Sequence, residues 1–531
     1  MNRRDLLKLG LLGSTAALGA SAAVDAGASS DAFPWLNHSL AELQAALTRG
    51  DVSSRRLCQQ YLARIEAMNA RGPELRAILE TNPDALAHAD ALDAERAEKG
   101  PRGPLHGIPL VIKDNLDTGD AMETTAGSLA LLGHKAPRDA FVVKRLRDAG
   151  AIILAKANLS EWANLRSSRP LSGWSARGGQ SRNPYALDRS PIGSSSGSGI
   201  AVAADLCAAA IGTETDGSIT APCSAMALVG LKPTVGLLSR SGIIPISPSQ
   251  DTPGPMTRTV EDAALLLDAM VGEDGDDPAT RAPGRKARQG YSKGLARESL
   301  KGARLGVARN LIGGGPPLRK VMDRAFEELR ALGATLVDVE LKQAELAGPE
   351  LEVLLFELKA SLAAYLVSRR PGAPVQSLAD AIAFNTANAD REHVWFEQEL
   401  FERAEEKGPL SAPAYQKALA LCRRKARTEG LDRQATQHRL DAFVTCALEP
   451  AWLIDPLLGD PPTAFGGSMA AVAGYPSITV PAGDVAGLPV GLMFFGAAWT
   501  EATLLAYAFA YEQATLRRQL PTFARSLTPR S

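Results

Sequence analysis

Hydroxyl groups and glycines crowd the stretch from Ser190 to Pro222, SPIGSSSGSGIAVAADLCAAAIGTETDGSITAP. Two loops, Gly193 to Gly199 and Thr213 to Ser218, bracket a small-residue apolar run from Ile200 to Ile211. Loops of this composition permit positive φ and bring backbone N–H groups close to a ligand, which is how an anion cradle or an oxyanion hole is built. A serine in such a loop becomes a nucleophile once a nearby base takes its proton. Upstream, GIPLVIKDN from Gly107 to Asn115 reads as a short strand with Lys113 at its end. A lysine there is either a snorkelling surface residue or a desolvated amine able to act as that base. Two other readings compete for the same letters. Gly193-Ser194-Ser195-Ser196-Gly197 fits G-x-S-x-G, which makes Ser195 the nucleophile of an α/β-hydrolase with His393 or His438 as base. The loop also suits a phosphate at a helix N-terminus in a non-catalytic binding protein, although no GK[ST] follows it.

The elements that must position these groups follow from periodicity. Ile200 to Ile211 has helical spacing and almost no polar face, which predicts a buried helix with the two loops at its ends. Val142 to Ala149 reads as a helix and Ala151 to Ala155 as a buried strand, the alternation of a mostly parallel sheet. Between Lys156 and Arg189 lies a long Gly/Ser/Asn loop whose Trp162, Trp174 and Tyr185 suit a pocket wall or lid. Ser39 to Met68 predicts two helices broken at Gly50-Asp51, and Ala85 to Lys99 a third. Leu228 to Leu231 and Thr234 to Leu238 lead into a Pro/Gly-rich wrapped loop, a helix over Val260 to Met270 and an exposed excursion from Glu273 to Gly294. Arg319 to Leu332 is helical, Thr335 to Leu341 a strand, and four helical segments fall between Glu350 and Arg427. Strands at Asp441 to Cys446, Ser477 to Val480 and Val490 to Phe494, and a helix over Glu501 to Gln513, complete a single large α/β/α domain.

Composition narrows the class. With 45% hydrophobic and 22% charged residues, the chain has material for a large core. Lys plus Arg number 58 against 59 Asp plus Glu, with no basic stripe interleaved with aromatics, so nucleic acid is not an expected partner. Arg3, Arg4 and Lys8 precede an apolar run from Leu9 to Leu18 and then Ala20-Ser21-Ala22, the pattern of a twin-arginine signal peptide occupying residues 1–28 and cut between Ala22 and Ala28. The expectation is export of an already folded protein to the periplasm by the twin-arginine machinery, with no stable membrane anchor and a catalytic domain over 29–531. The five cysteines show no metal-ligand or CxxC spacing and read as small buried hydrophobes.

Six motifs in order then resemble the amidase signature family: Gly107-Ile108-Pro109 with Ile112-Lys113-Asp114, the Gly193 to Ser198 loop, Thr215-Asp216-Gly217-Ser218-Ile219, Gly230-Leu231-Lys232-Pro233-Thr234, Asp251-Thr252-Pro253-Gly254-Pro255-Met256, and Gly474-Tyr475-Pro476. The resemblance implies a mixed central sheet flanked by helices and amide hydrolysis through an acyl-enzyme, with no metal or cofactor. It implies Ser218 as nucleophile, Ser194 as a bridging serine on a cis peptide bond, Lys113 as base, and Ser195 as an accessory donor. Backbone N–H groups from Thr215 through Asp216 and Gly217 to Ser218 would hold the oxyanion, and Trp162 and Trp174 would border the pocket. The chain departs from the family's common pattern at Ile192, Asp216 and Thr220, where Gly, Gly and Arg are frequent. The missing Arg argues against the glutamine-using amidotransferase subunit. TETDGSI, SGWSARGGQSRNPYALDRSP and FELKASLAAYL are similar to the peptide amidase subgroup, which implies a small amide or an amidated peptide as substrate; Asp216 is also a candidate to orient an amine or a peptide N–H.

Overall fold

Eleven strands join in one mixed sheet in the computed structural model, which describes residues 33–463 and 465–527. Residues 33–36 form a short leading turn, and the chain from Asn37 onward forms one compact unit. The expected signal segment, residues 1–28, lies outside the described residues. The strands are β1 (Ile78–Thr81), β2 (Pro109–Lys113), β3 (Ile152–Ala157), a small separate hairpin of β4 (Trp174–Ser175) and β5 (Gly179–Gln180), β6 (Ala209–Glu214), β7 (Val229–Lys232), β8 (Thr252–Thr257), β9 (Arg304–Val307), β10 (Thr335–Asp338), β11 (Ala442–Cys446), β12 (Ser477–Val485) and β13 (Leu488–Phe495). Their order across the sheet is β1-β3-β2-β6-β8-β7-β12-β13-β11-β9-β10. β3, β2 and β6 run parallel, as do β11, β9 and β10, while the middle of the sheet is antiparallel. β2, β3, β6, β7 and β8 are buried at every position, which is why they read as continuous apolar or small-residue runs without alternation.

The helices used below are α1 (Leu40–Arg49), α2 (Ser54–Asn69), α3 (Ala85–Lys99), α4 (Phe141–Asp148), α5 (Ser196–Ala203), α6 (Thr220–Ala225), α7 (Val260–Met270), α8 (Pro316–Ala331) and α9 (Ala347–Arg369). α1 starts at a complete capping box between Ser39 and Glu42, and its buried face of Leu40, Leu43, Ala46 and Leu47 has the i, i+3, i+4 spacing of an amphipathic helix. Among the described residues no helix is long and apolar enough to cross a membrane.

Three expectations are corrected. The Ile200 to Ile211 run is not one helix: α5 ends at Ala203, Asp205 turns the chain at φ 54, and Ala209 starts β6 at the heart of the sheet. Periodicity cannot separate a buried helix from a strand buried on both faces. The Pro/Gly-rich segment Thr252–Thr257 is strand β8, paired along its length with β6 but with β7 only at Met256 and Thr257. Pro253 and Pro255, two apart, share one parity, so their missing donors fall on one side of the strand, and β7 leaves that segment unpaired. The excursion from Glu273 to Gly294 is largely exposed, as expected, and anchored near its start: Asp274 accepts from Ser239 Oγ at 2.5 Å and Ser241 Oγ at 2.6 Å, and Asp277 accepts from Arg240 Nε at 2.8 Å. After α9, helices at Leu378–Ala387, Ala389–Glu392, Glu399–Glu405 and Pro413–Arg423, then a π-helical stretch over Arg424–Leu431, replace the four expected segments.

Candidate active site

Lys113 is the last residue of β2, and its side chain is fully buried. The parallel register of β2 with β6, Ile112 opposite Ile211, brings the ends of both strands together and sets Lys113 beside Thr213. Lys113 Nζ lies 2.7 Å from Ser194 Oγ and 2.9 Å from Thr213 Oγ1, with Thr213 O at 3.4 Å. Nζ donates to all three oxygens as an ammonium; once neutral it keeps two N–H donors for Thr213 and a lone pair that can accept the Ser194 hydroxyl proton. Burial is the largest influence on the amine and pushes it down to about 7, against the opposing pull of Asp251 and Glu214. Asn115 Nδ2 also donates to Thr213 Oγ1, at 2.9 Å, which holds that hydroxyl in place.

The two Ser/Gly loops meet around Ser218. Ser194 N–H donates to Ser218 Oγ at 3.3 Å, and Ser195 N–H donates to Ser218 O at 3.1 Å. The Ser195 hydroxyl donates to Thr213 O at 3.0 Å and accepts from Thr213 N–H at 3.2 Å. It therefore clamps the loop to the end of β6. The expected cis bond is absent: every described peptide is trans, that of Ser194 included. The chain reverses instead through Ile192 and Gly193, both at φ 62, and outside proline a trans bond is favoured by about 3–4 kcal/mol. A side chain at Gly193 would meet Pro222 Cδ at 2.5 Å, and Ile192 is held in its rare conformation by packing on Ala221, Ala225, Leu448 and Ala451.

Gly217, at φ 81, turns the second loop so that Ser218 stands in the turn that leads into α6. The Glu214 carboxylate accepts from Ile219 N–H at 2.7 Å, Thr220 N–H at 2.9 Å and Thr220 Oγ1 at 3.1 Å, and so anchors the start of α6 just past Ser218. Among the described residues, the N–H groups of Asp216, Gly217 and Ser218 have no protein acceptor and remain available to a developing oxyanion. Thr215 Oγ1 donates to Asp251 Oδ1 at 2.6 Å, and Asp251 Oδ2 accepts from Ile246 and Ser247 N–H, each at 2.8 Å. A cavity of about 600 Å3 opens against Asn115, Thr213, Thr215 and Asp251, between the loop Arg240 to Thr252 and α9.

The structure thus gathers Lys113, Ser194, Ser195, Thr215, Asp216, Gly217 and Ser218, but not the aromatics. Trp162 and Trp174 are buried packing residues and, like Lys113, Ser194 and Ser218 themselves, are not in the lining of this cavity: Trp162 stands edge-on to Phe401 at 5.4 Å, and Trp174 edge-on to Phe396 at 5.2 Å. Both hold the long loop onto the helical insert. Tyr185 is likewise buried and pins the loop through its hydroxyl to Gln519 O. Neither His393 nor His438 bonds any of the three serines, and the Ser195 hydroxyl is committed to Thr213, so the G-x-S-x-G reading has no base. Sequence reasoning missed Asn115, Thr213 and Glu214 as supports, although all three stand beside motifs it quoted. Among the described residues no group of three or more His, Cys, Asp or Glu is placed to hold a metal ion.

Comparison with known proteins finds relatives over nearly the whole described chain. A protein-family profile described as amidase matches residues 56–505. A probable amidase of Arabidopsis thaliana is 42% identical over 509 residues, 93% of each chain. The crystal structure of a peptide amidase from Stenotrophomonas maltophilia is 50% identical with a TM-score of 0.88, covering 92% of this chain and 99% of that one. An amidase family protein from Bacillus anthracis, also solved as a crystal structure, is 36% identical with a TM-score of 0.84, covering 92% of this chain and 93% of that one.

Proposed function

The chain belongs to the amidase family and is an amide-hydrolysing enzyme, and we propose that it works through Lys113, Ser194 and Ser218. Ser218 Oγ attacks the carboxamide carbon and passes its proton to the Ser194 hydroxyl, which hands its own to the neutral Lys113 amine. Negative charge moves to the carbonyl oxygen, where the free N–H groups of Asp216 to Ser218 stabilise it. The C–N bond breaks as Ser194 returns a proton to the departing ammonia or amine. Water then attacks the acyl-enzyme by the same relay and frees the carboxylic acid and Ser218. The observation that carries this reading is the fully buried Lys113 Nζ 2.7 Å from a serine whose own N–H rests on Ser218 Oγ.

The substrate we assign is the C-terminal amide of a peptide, supported by 50% identity to the peptide amidase over 92% of this chain. The test is ammonia release from amidated dipeptides, aryl amides and short aliphatic amides. Amidated peptides should be the best substrates, and Ser218→Ala and Lys113→Ala should each lower kcat by about 10^4-fold or more with the peptide still bound. Near-normal rates in either variant would overturn the mechanism, and exclusive turnover of aliphatic amides the substrate. We further propose that Arg3 and Arg4 head a twin-arginine signal that delivers the folded enzyme to the periplasm.

A further inference from the structure

Helix α9 sets Glu350 against the nucleophile loop. The Glu350 side chain is 8% exposed, and its Oε1 accepts from Gln250 Nε2 at 2.8 Å. Through Gln250 it joins the loop that carries Asp216, whose Oδ1 is buried with no donor of its own, and the two carboxyls influence each other's charge. The same Gln250 Nε2 donates to Thr215 O at 3.3 Å. The C=O and N–H of a trans peptide point opposite ways, so holding Thr215 O from one side aims the Asp216 N–H to the other. That N–H is one of the free donors of the loop.

Other charges face the pair from each neighbouring element. Asp216 sees Glu214 at the end of β6, Lys232 on β7 and Ser468 of the helix Ser468–Ala473; Glu350 sees Cys422 of the helix Pro413–Arg423. Burial comes first in raising both carboxyls: Glu350 is pushed up to about 7, and Asp216, with Glu350 beside it, well above its ordinary range. Two buried carboxyls that feel each other's charge cannot both ionise at low cost. An ionised Asp216 would also set a negative charge two residues from Ser218, where the reaction builds another.

Building on the acyl-enzyme reading above, we propose that Asp216, Glu350 and Gln250 are positioning residues of the oxyanion loop. The two carboxyls hold one proton between them, which keeps Asp216 neutral beside the nascent oxyanion, while Gln250 orients the Thr215–Asp216 peptide. This gives a role to the carboxylate that stands where related sequences have glycine, and to the end of α9 that reaches the site.

The test is steady-state hydrolysis of an amidated peptide from about pH 6 to about pH 10. Glu350→Gln removes the acceptor of the shared proton, so Asp216 ionises earlier. The alkaline loss of kcat should move down by about one pH unit or more, with KM changed less than about twofold. Adding Asp216→Asn to that variant should restore kcat on the alkaline side, a rescue that a packing defect at Glu350 would not show. Gln250→Ala should lower kcat by about tenfold or more at all pH values, again with KM little changed. An alkaline limb in Glu350→Gln that coincides with wild type, failure of the rescue, or a rise in KM at constant kcat would overturn the proposal. Ser218→Ala in the same assay separates the two ideas: activity surviving there sinks the acyl-enzyme reading, whereas its loss beside an unmoved pH limb sinks only the positioning network.

Discussion

Lys113 is a residue whose chemistry depends on where its charge is not. Full burial beside Ser194 and Thr213 disfavours the ammonium, and the opposing carboxylates of Asp251 and Glu214 keep the amine basic enough to accept a proton. The base must be uncharged to act, so kcat/KM should climb as pH rises through about 7 and fall away below it. A pH–rate profile checks this, and a flat profile between about pH 5 and about pH 8 would contradict it. Lys113→Arg sharpens the point. Guanidinium stays protonated throughout that range, so the variant should be as inactive as Lys113→Ala although its positive charge is kept.

At the scale of elements, α9 does more than cover the sheet. Glu350, Glu357, Tyr365 and Arg369 recur at spacings of seven, eight and four residues, one stripe of the helix, and each meets the catalytic layer. Glu350 takes Gln250, Glu357 Oε2 accepts from Ser247 Oγ at 2.6 Å, and Tyr365 Oη and Arg369 Nε donate to Asp117 at 2.6 and 2.9 Å. Arg370 Nη2 adds a third bond to Asp117 at 2.8 Å, so a single buried carboxylate just past β2 carries two guanidinium groups. Removing it leaves both charges uncompensated. Asp117→Ala should therefore destabilise the protein by about 3–5 kcal/mol in a denaturant titration, and a loss under about 1 kcal/mol would show that the junction tolerates the cut.

For the molecule as a whole, the five cysteines bear on where it folds. All are buried and free, as the absence of CxxC spacing suggested, so the native state needs no oxidising compartment. That accords with a chain that folds in a reducing cytosol and is exported afterwards. Replacing Arg3 and Arg4 by lysine should leave active enzyme in the cytoplasm, as read by fractionation. Periplasmic activity that survives the double change would refute the export proposal.

Local pattern in the chain was enough for most of the helices and for the chemical groups. Period placed α1 to α4, α7 and the closing helix Glu501–Thr515 to within a few residues. The ordered motifs named Lys113, Ser194 and Ser218, because a base, a relay and a nucleophile demand particular side chains whatever surrounds them. Everything that depends on neighbours came from the folded chain. The break of the Ala-rich run into α5 and β6 depended on a sheet burying both faces of Ala209–Glu214, a condition no local pattern encodes. Thr213 came to Lys113 through the parallel register of strands about a hundred residues apart, and Glu350 to Asp216 through an inserted helix. Distance in the chain carries no information about distance in space until the sheet is ordered, so the partners that set each group's charge became visible only once it was.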